Sequence, residues 1–352
     1  MKKINVGLIG FGLAGRVFHE PLISSIEGMI ITKVLSSRKE ELLSILPDAE
    51  IVDHIDHILD DPAIDLVINC GPNTVHYSYT KKALEAKKNI IVEKPFVISI
   101  SEGRELIELA KKNNVILSVF QNRRFDSDFL TIKKLFEANK FGQIKEFESH
   151  FDRYQPLVRE NKWREKKGLG NGILFDLGSH LIDQMLCLFG EPVSLIADVC
   201  AQKDEGEVTD YFHLIFKYSN GLRVILHSSS FGDTSPRFRV VGERGSYIKY
   251  GMDPQEGQSR EGIRPNYESF GVENKSHSGI FYTWRDEQRL EEVIVSERGC
   301  YRDYYQNISN IIKGETQEYS VRANEALRVV ELIEAAYTSS REAREIIFLK
   351  EN

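Results

Sequence analysis

Short β-branched runs alternate with amphipathic stretches through the first 120 residues. Residues 4–9 are strand formers and lead through Gly10-Phe11-Gly12-Leu13-Ala14-Gly15 into a helical pattern lasting to about Ile26. Residues 30–35, 66–70, 89–92 and 115–120 are further apolar runs, with helical spacing over 38–46, 75–86 and 99–113. Strands separated by helical patterns predict βαβ units with right-handed crossovers and a parallel, doubly wound sheet.

The pattern then changes. Residues 126–139 and 174–189 read as helices. From residue 193 strands follow one another at 193–200, 210–217, 222–229, 237–242 and 246–250. Turn signals such as Ser219-Asn220-Gly221 and Gly242-Glu243-Arg244-Gly245 join them. Consecutive strands predict a large, mostly antiparallel sheet with helices on one face. Residues 251–278, rich in Gly, Glu, Ser and Pro, read as a loop. Residues 323–340 read as a helix with Leu327, Val330, Ile333 and Tyr337 on one stripe.

At about 150 residues per domain, 352 residues suggest two domains. The expected class is α/β: a Rossmann dinucleotide-binding domain over 1–122, then an α+β domain over 123–352 for substrate binding and oligomerisation. The final helix is expected to pack back on the first domain.

Charge and cysteine usage narrow the setting. With 46 Lys+Arg against 53 Asp+Glu, a net charge of −7 and no long like-charge run, nothing points to a nucleic-acid or anionic-membrane partner. No apolar run approaches the ~18 residues of a membrane span, and the N-terminus lacks a signal-peptide pattern. Cys70, Cys187, Cys200 and Cys300 are far apart and form no zinc-ribbon or redox pair. The expectation is a cytoplasmic protein with reduced thiols and no metal site.

The glycines of Gly10-x-Gly12-x-x-Gly15 gain meaning from their place between a strand and a helix. Such a loop turns tightly at the first glycine, lets backbone approach a pyrophosphate at the second, and packs helix on strand at the third. A domain selective for NAD would carry Asp or Glu at the end of the second strand. Here Leu35-Ser36-Ser37-Arg38-Lys39 offers hydroxyls and cations instead, which suit the 2′-phosphate of NADP, with NAD as the other possibility. Arg38 and Lys39 facing solvent on the following helix is the plain alternative.

Three further constellations carry candidate chemistry. Glu93-Lys94-Pro95 follows the strand 89–92, where strand ends face the ligand crevice. A lysine beside an oxidised nicotinamide should fall from its free pKa of ~10.4 and exchange protons near neutrality. Gly71-Pro72-Asn73-Thr74-Val75-His76 follows the preceding strand and suits a turn over the cofactor; His76 could equally cap or pack. Asp176 and His180, four apart in a helical pattern, are acid–base equipment for neutral pH, or a core histidine with its partner. Gly178 between them suggests a close approach. His19, His54, His57 and His213 show no partner spacing and read as structural or surface.

The glycine loop, Glu93-Lys94-Pro95 and Asp176-x-Gly178-x-His180, in this order and at these separations, resemble the glucose–fructose oxidoreductase/inositol dehydrogenase/rhizopine-catabolism (Gfo/Idh/MocA) family over nearly the whole chain. The stretches 11–21, 121–129 and 151–156 look like a branch that oxidises scyllo-inositol with NADP. The resemblance implies Lys94, Asp176 and His180 as the catalytic set. Lys94 would polarise the reacting oxygen, His180 would exchange its proton (or the reverse), and Asp176 would orient the imidazole. It implies cofactor contacts from residues 10–15, Ser37, Arg38, Gly71, Pro72, Asn73, His76, Glu93, Lys94, Asn122, Trp163 and Arg164. Substrate contacts are implied for Lys94, Tyr154, Asp176 and His180. It further implies a cis bond at Lys94–Pro95 and homodimers or homotetramers paired through the open face of the second sheet. A pyranose dehydrogenase, a dinucleotide-dependent glycosidase and a cofactor-sensing regulator are the competing readings.

Overall fold

In a computed structural model of the chain, residues 3–159, 165–168 and 170–348 are described. They divide into two compact units. The first holds the chain to Phe125 together with 254–271 and 299–330. The second holds 126–253, 272–298 and the chain from Glu331.

The first unit is built on six parallel strands: β1 (Ile4–Ile9), β2 (Met29–Leu35), β3 (Glu50–Val52), β4 (Leu66–Asn69), β5 (Asn89–Val92) and β6 (Leu117–Val119). Their order is β3-β2-β1-β4-β5-β6. The chain reverses direction across the sheet between β1 and β4, which opens a crevice at the carboxyl ends of those strands. Those ends are aligned by pairs Ile9↔Leu35, Ile9↔Asn69 and Asn69↔Val92. The central strands are buried on both faces, as the apolar runs require.

The second unit carries β7 (Ile144–His150), β8 (Ser194–Cys200), β9 (Tyr211–Lys217), β10 (Arg223–Ser229), β11 (Phe238–Gly242), β12 (Gly245–Lys249), β13 (Gly279–Arg285), β14 (Gln288–Ile294) and β15 (Ile346–Ile347). The order is β14-β13-β12-β11-β7-β10-β9-β8-β15. Among the described strands of this sheet, only β7 and β10 pair in parallel. Alternation sets the faces: Phe147, Phe212, Leu214, Phe216, Val224, Leu226 and Phe238 are buried to one side. There Phe147 packs against Phe136, Phe189 and Phe238 at centroid distances of 5.2–6.4 Å. The buried Arg237 guanidinium is paired with Asp128 at 3.1 Å and Gln184 at 2.7 Å.

A boundary at 122/123 is too simple for this chain. Residues 254–271 and 299–330, expected in the second domain, belong to the first unit. Tyr301, Tyr304, Tyr305 and Ile308, from the helix Arg302–Lys313 and its N-cap, are buried in that unit's core. Ser118 of β6 bonds the Tyr304 hydroxyl at 2.8 Å and donates to the Val321 carbonyl at 2.9 Å. The helix Ala323–Glu342 starts in the first unit, where Leu327 lies over Gly103, and ends in the second. The stretch read as a loop holds the helix Gln255–Arg260, which packs on the helical turn after the glycine loop.

Candidate active site

The crevice is assembled from loops that leave neighbouring strands in register. The N–H of Gly10 donates to Leu35 O (2.9 Å), Cys70 N–H to Ile9 O (3.0 Å) and Glu93 N–H to Asn69 O (2.9 Å). Three strands thus deliver residues 10–15, 71–76 and 93–95 to one edge. Gly10 has φ +94° and lies against the Cys70 carbonyl, where a Cβ would come within 2.9 Å. At Gly15 a Cβ would stand 2.5 Å from the Gly10 carbonyl. Around Gly12 a Cβ would meet nothing within 4 Å. Two glycines are therefore required by the protein itself, and the third borders open space of the kind a pyrophosphate needs.

Phe11 points into the core, so only its backbone faces the loop, whereas Leu13 is exposed. The thiol of Cys70 lies beneath, donating to Ile9 O at 3.2 Å and Gly10 O at 3.0 Å. Burial, together with the Glu93 charge, pushes that thiol well above the usual range.

At the end of β2, Ser37 and Arg38 are exposed and no carboxylate occupies the strand end. The Arg38 N–H donates to Ser36 Oγ (3.1 Å), and its guanidinium pairs with Glu41 at 3.3 Å. Arg16, on the turn after the glycine loop, pairs with the same Glu41. Beside them is a cleft of about 510 Å³ lined by Leu13, Arg16, Glu20, Ile45, Arg260 and Arg264. Arg264 pairs with Glu20 at 2.6 Å. Sequence reasoning missed Arg16, Arg260 and Arg264: the first sits inside a helical pattern, and the others lie in a stretch read as loop.

Beyond β5 the Lys94–Pro95 peptide bond is cis and Lys94 is half-buried. Glu93 turns back: its carboxylate accepts the Lys94 N–H at 2.9 Å and the His19 Nε2–H at 3.0 Å. A carboxylate only accepts, so His19 Nε2 carries a proton, and Nδ1 is bonded to the Tyr305 hydroxyl. Burial pushes the Glu93 carboxyl up, but the His19 bond and the charges of His19 and Lys94 outweigh it and hold it below the usual range. His19, expected to be structural or surface, is fully buried and anchors the segment that carries Lys94.

His76 is buried with Nδ1 2.7 Å from the Pro95 carbonyl and Nε2 3.1 Å from the Gly71 carbonyl, tying the two loops together. Asn73 starts the helix Asn73–Glu85 and is buried, and Pro72 before it is exposed. Asn122 is buried in the short turn Asn122–Phe125.

In the second unit Asp176 lies in a wide, π-type turn, Leu174–Gly178, that runs into the α-helix Ser179–Phe189 bearing His180. Wide turns of this kind recur at functional sites, and the turn Gly15–His19 is another. A Cβ on Gly178 would meet Leu174 Cδ1 at 2.6 Å and the Phe212 ring at 3.3 Å, so the helix approaches β9 as closely as glycine permits. Asp176 is half-buried, His180 is 5 % exposed and Tyr154 is 67 % exposed. Lys94 belongs to the first unit, and Asp176 and His180 to the second. Trp163 and Arg164 lie outside the described residues.

Two family profiles match this chain: "Oxidoreductase family, NAD-binding Rossmann fold" over residues 4–121 and "Oxidoreductase family, C-terminal alpha/beta domain" over residues 133–347. The chain belongs to the Gfo/Idh/MocA oxidoreductases. It is 41 % identical over 345 residues to the scyllo-inositol 2-dehydrogenase (NADP(+)) IolW of Bacillus subtilis, covering 98 % of this chain and 96 % of that one. It is 42 % identical over 340 residues to the uncharacterised oxidoreductase YdgJ of Escherichia coli, covering 96 % and 97 %. Among solved structures, that of the B. subtilis protein yvaA superposes with a TM-score of 0.96 at 40 % identity over 99 % of both chains. A Gfo/Idh/MocA protein is thus an oxidoreductase with a Rossmann domain for NAD(P), which the open space at Gly12 fits.

Proposed function

We propose that the protein is an NADP-dependent dehydrogenase of a cyclic polyol, with scyllo-inositol and its ketone as the first candidate pair. The observation that carries this reading is the 41 % identity, along almost the whole of both chains, to an enzyme that acts on scyllo-inositol with NADP(+). The strand end of β2 supports the cofactor: it has no carboxylate for a ribose 2′-OH, and Arg38 and Arg16 share one glutamate that a phosphate can replace. A charge-assisted arginine–phosphate contact of about 1.5–3 kcal/mol favours NADP roughly 10- to 100-fold. Arg38→Ala should accordingly weaken NADP binding by about that factor while leaving NAD binding nearly unchanged. Equal weakening of both, measured by fluorescence titration, contradicts the assignment.

The loop amides after β1 and the following helical turn would hold the pyrophosphate, and Arg16, Ser37 and Arg38 the 2′-phosphate. NADP, when bound, supplies the hydride acceptor and donor. The chain's own residues do the rest. Lys94 polarises the substrate oxygen, His180 takes or returns its proton, and Asp176 fixes the imidazole in the tautomer that can do so. Glu93, His19 and Tyr305 hold the backbone at Lys94, so they act as positioning residues.

Lys94→Met tests these roles. Turnover should fall about 10²- to 10⁴-fold, while NADPH still binds with nearly the affinity of the parent and the melting temperature holds. Simultaneous loss of binding and turnover makes Lys94 a cofactor-holding or structural residue instead. Cofactor that copurifies and never turns over favours a dinucleotide-dependent glycosidase.

A further inference from the structure

We propose that His150, Asp152 and His227 form a binding site for a divalent transition-metal ion of the zinc class on the open face of the second unit's sheet. Three adjacent strands bring histidines into one row: in register, His227 of β10 faces His150 of β7 on one side and His213 of β9 on the other. Their neighbours Ser149, Phe212, Leu214, Leu226 and Ser228 are buried on the opposite face. The ring centroids of His150 and His213 lie 5.3 Å and 5.5 Å from that of His227. One donor atom from each of His150, Asp152 and His227 falls within 4.8 Å of the other two.

What remains unsatisfied points to a ligand. Among the described residues, His150 Nδ1 and Asp152 Oδ2 are buried with no hydrogen-bond partner, a rare and costly state for one such atom and rarer for two in one cluster. Each candidate ligand is meanwhile held from behind. His150 Nε2 is 3.4 Å from Glu148 Oε2, Asp152 Oδ1 accepts the Ser229 N–H at 2.8 Å, and His227 Nδ1 is 3.4 Å from His213 Nδ1. Ligating histidines characteristically donate the other ring N–H to a carboxylate or another acceptor, which fixes the tautomer. That leaves His150 Nδ1, Asp152 Oδ2 and His227 Nε2 for the ion, with His213 and Glu148 as positioning residues. His227 Nε2 is 3.8 Å from Asp152 Oδ1.

Two imidazoles and a carboxylate with a fourth position open suit zinc and disfavour magnesium or calcium, which take oxygen ligands. Donors bonded at about 2.0–2.2 Å around a tetrahedral ion lie roughly 3.4 Å apart, so a pair at the 4.8 Å limit must close by roughly 1.4 Å on capture. The site draws all three ligands from one chain and is independent of the dehydrogenase reading.

Full-length protein stripped with a chelator and titrated with zinc by calorimetry is the test, with no activity involved. One zinc per chain should bind, and His227→Ala and Asp152→Asn should each weaken it by at least about tenfold. His54→Ala, which removes an exposed histidine paired with Asp56 in the first unit, should leave it unchanged. Should the alanine variant fail to fold, His150→Gln and the visible spectrum of the cobalt-loaded parent serve instead, the latter showing four-coordinate cobalt. No saturable zinc binding, binding indifferent to His227 and Asp152, or a six-coordinate cobalt spectrum overturns the proposal.

Discussion

Glu93 connects residue chemistry to the position of Lys94. Its carboxylate gathers the Lys94 N–H and the His19 ring, and His19 in turn is fixed by Tyr305. Because the folded protein holds this carboxyl below its ordinary value of 4.5, Glu93 contributes stability above that value and loses it as pH falls through the lower folded pKa. The stability difference between the parent and Glu93→Gln should therefore be largest near neutrality and shrink on acidification below about pH 4.5. Chemical denaturation across that range checks it, and a pH-independent difference contradicts it. Glu93 and Lys94 were legible in the sequence because they adjoin a strand end. His19 and Tyr305 were not, since the bonds joining them span 74 and 286 residues of chain and leave no spacing to read. The histidine row is invisible for the same reason: His150 and His227 meet only through strand register.

At the scale of elements, five of the six strands of the first sheet were readable because burial makes each a largely apolar run, the short edge strand β3 (Glu-Ile-Val) being the exception. Several second-sheet strands were not. β14, with the sequence Gln-Arg-Leu-Glu-Glu-Val-Ile, is an exposed edge strand whose pattern no core enforces. The helix Arg302–Lys313 did carry a signal, with Tyr304, Tyr305, Ile308, Ile311 and Ile312 at helical spacing, and its burial against β6 assigns it to the first unit. The glycine loop yields an element-scale prediction. Gly15→Ala forces a Cβ to 2.5 Å from the Gly10 carbonyl and should cost about 1–3 kcal/mol of stability. Gly12→Ala meets no neighbour and should stay within about 0.5 kcal/mol of the parent while weakening cofactor binding. Denaturation curves and NADPH titration separate the two; equal destabilisation would mean that Gly12 serves packing rather than the ligand.

For the whole molecule, membership of the Gfo/Idh/MocA family sets the chemistry, and no helix among the described residues is long and apolar enough to cross a membrane. The open face of the second sheet presents Ile196, Trp284 and Val293, each more than a third exposed, and we propose it as the face through which copies of the chain pair. The division into two units was legible only in outline, because the first unit borrows two later segments that its own sequence neighbourhood does not announce. Substrate identity is the property furthest from the fold, since polyols differing in one hydroxyl are told apart by individual hydrogen bonds. The central claim is tested most directly by following NADPH formation, by its near-ultraviolet absorbance, with the purified protein supplied with NADP or NAD and a panel of inositols and pyranoses. The account predicts NADPH from scyllo-inositol and little NADH. Silence toward every inositol, in protein shown to bind NADPH, contradicts it.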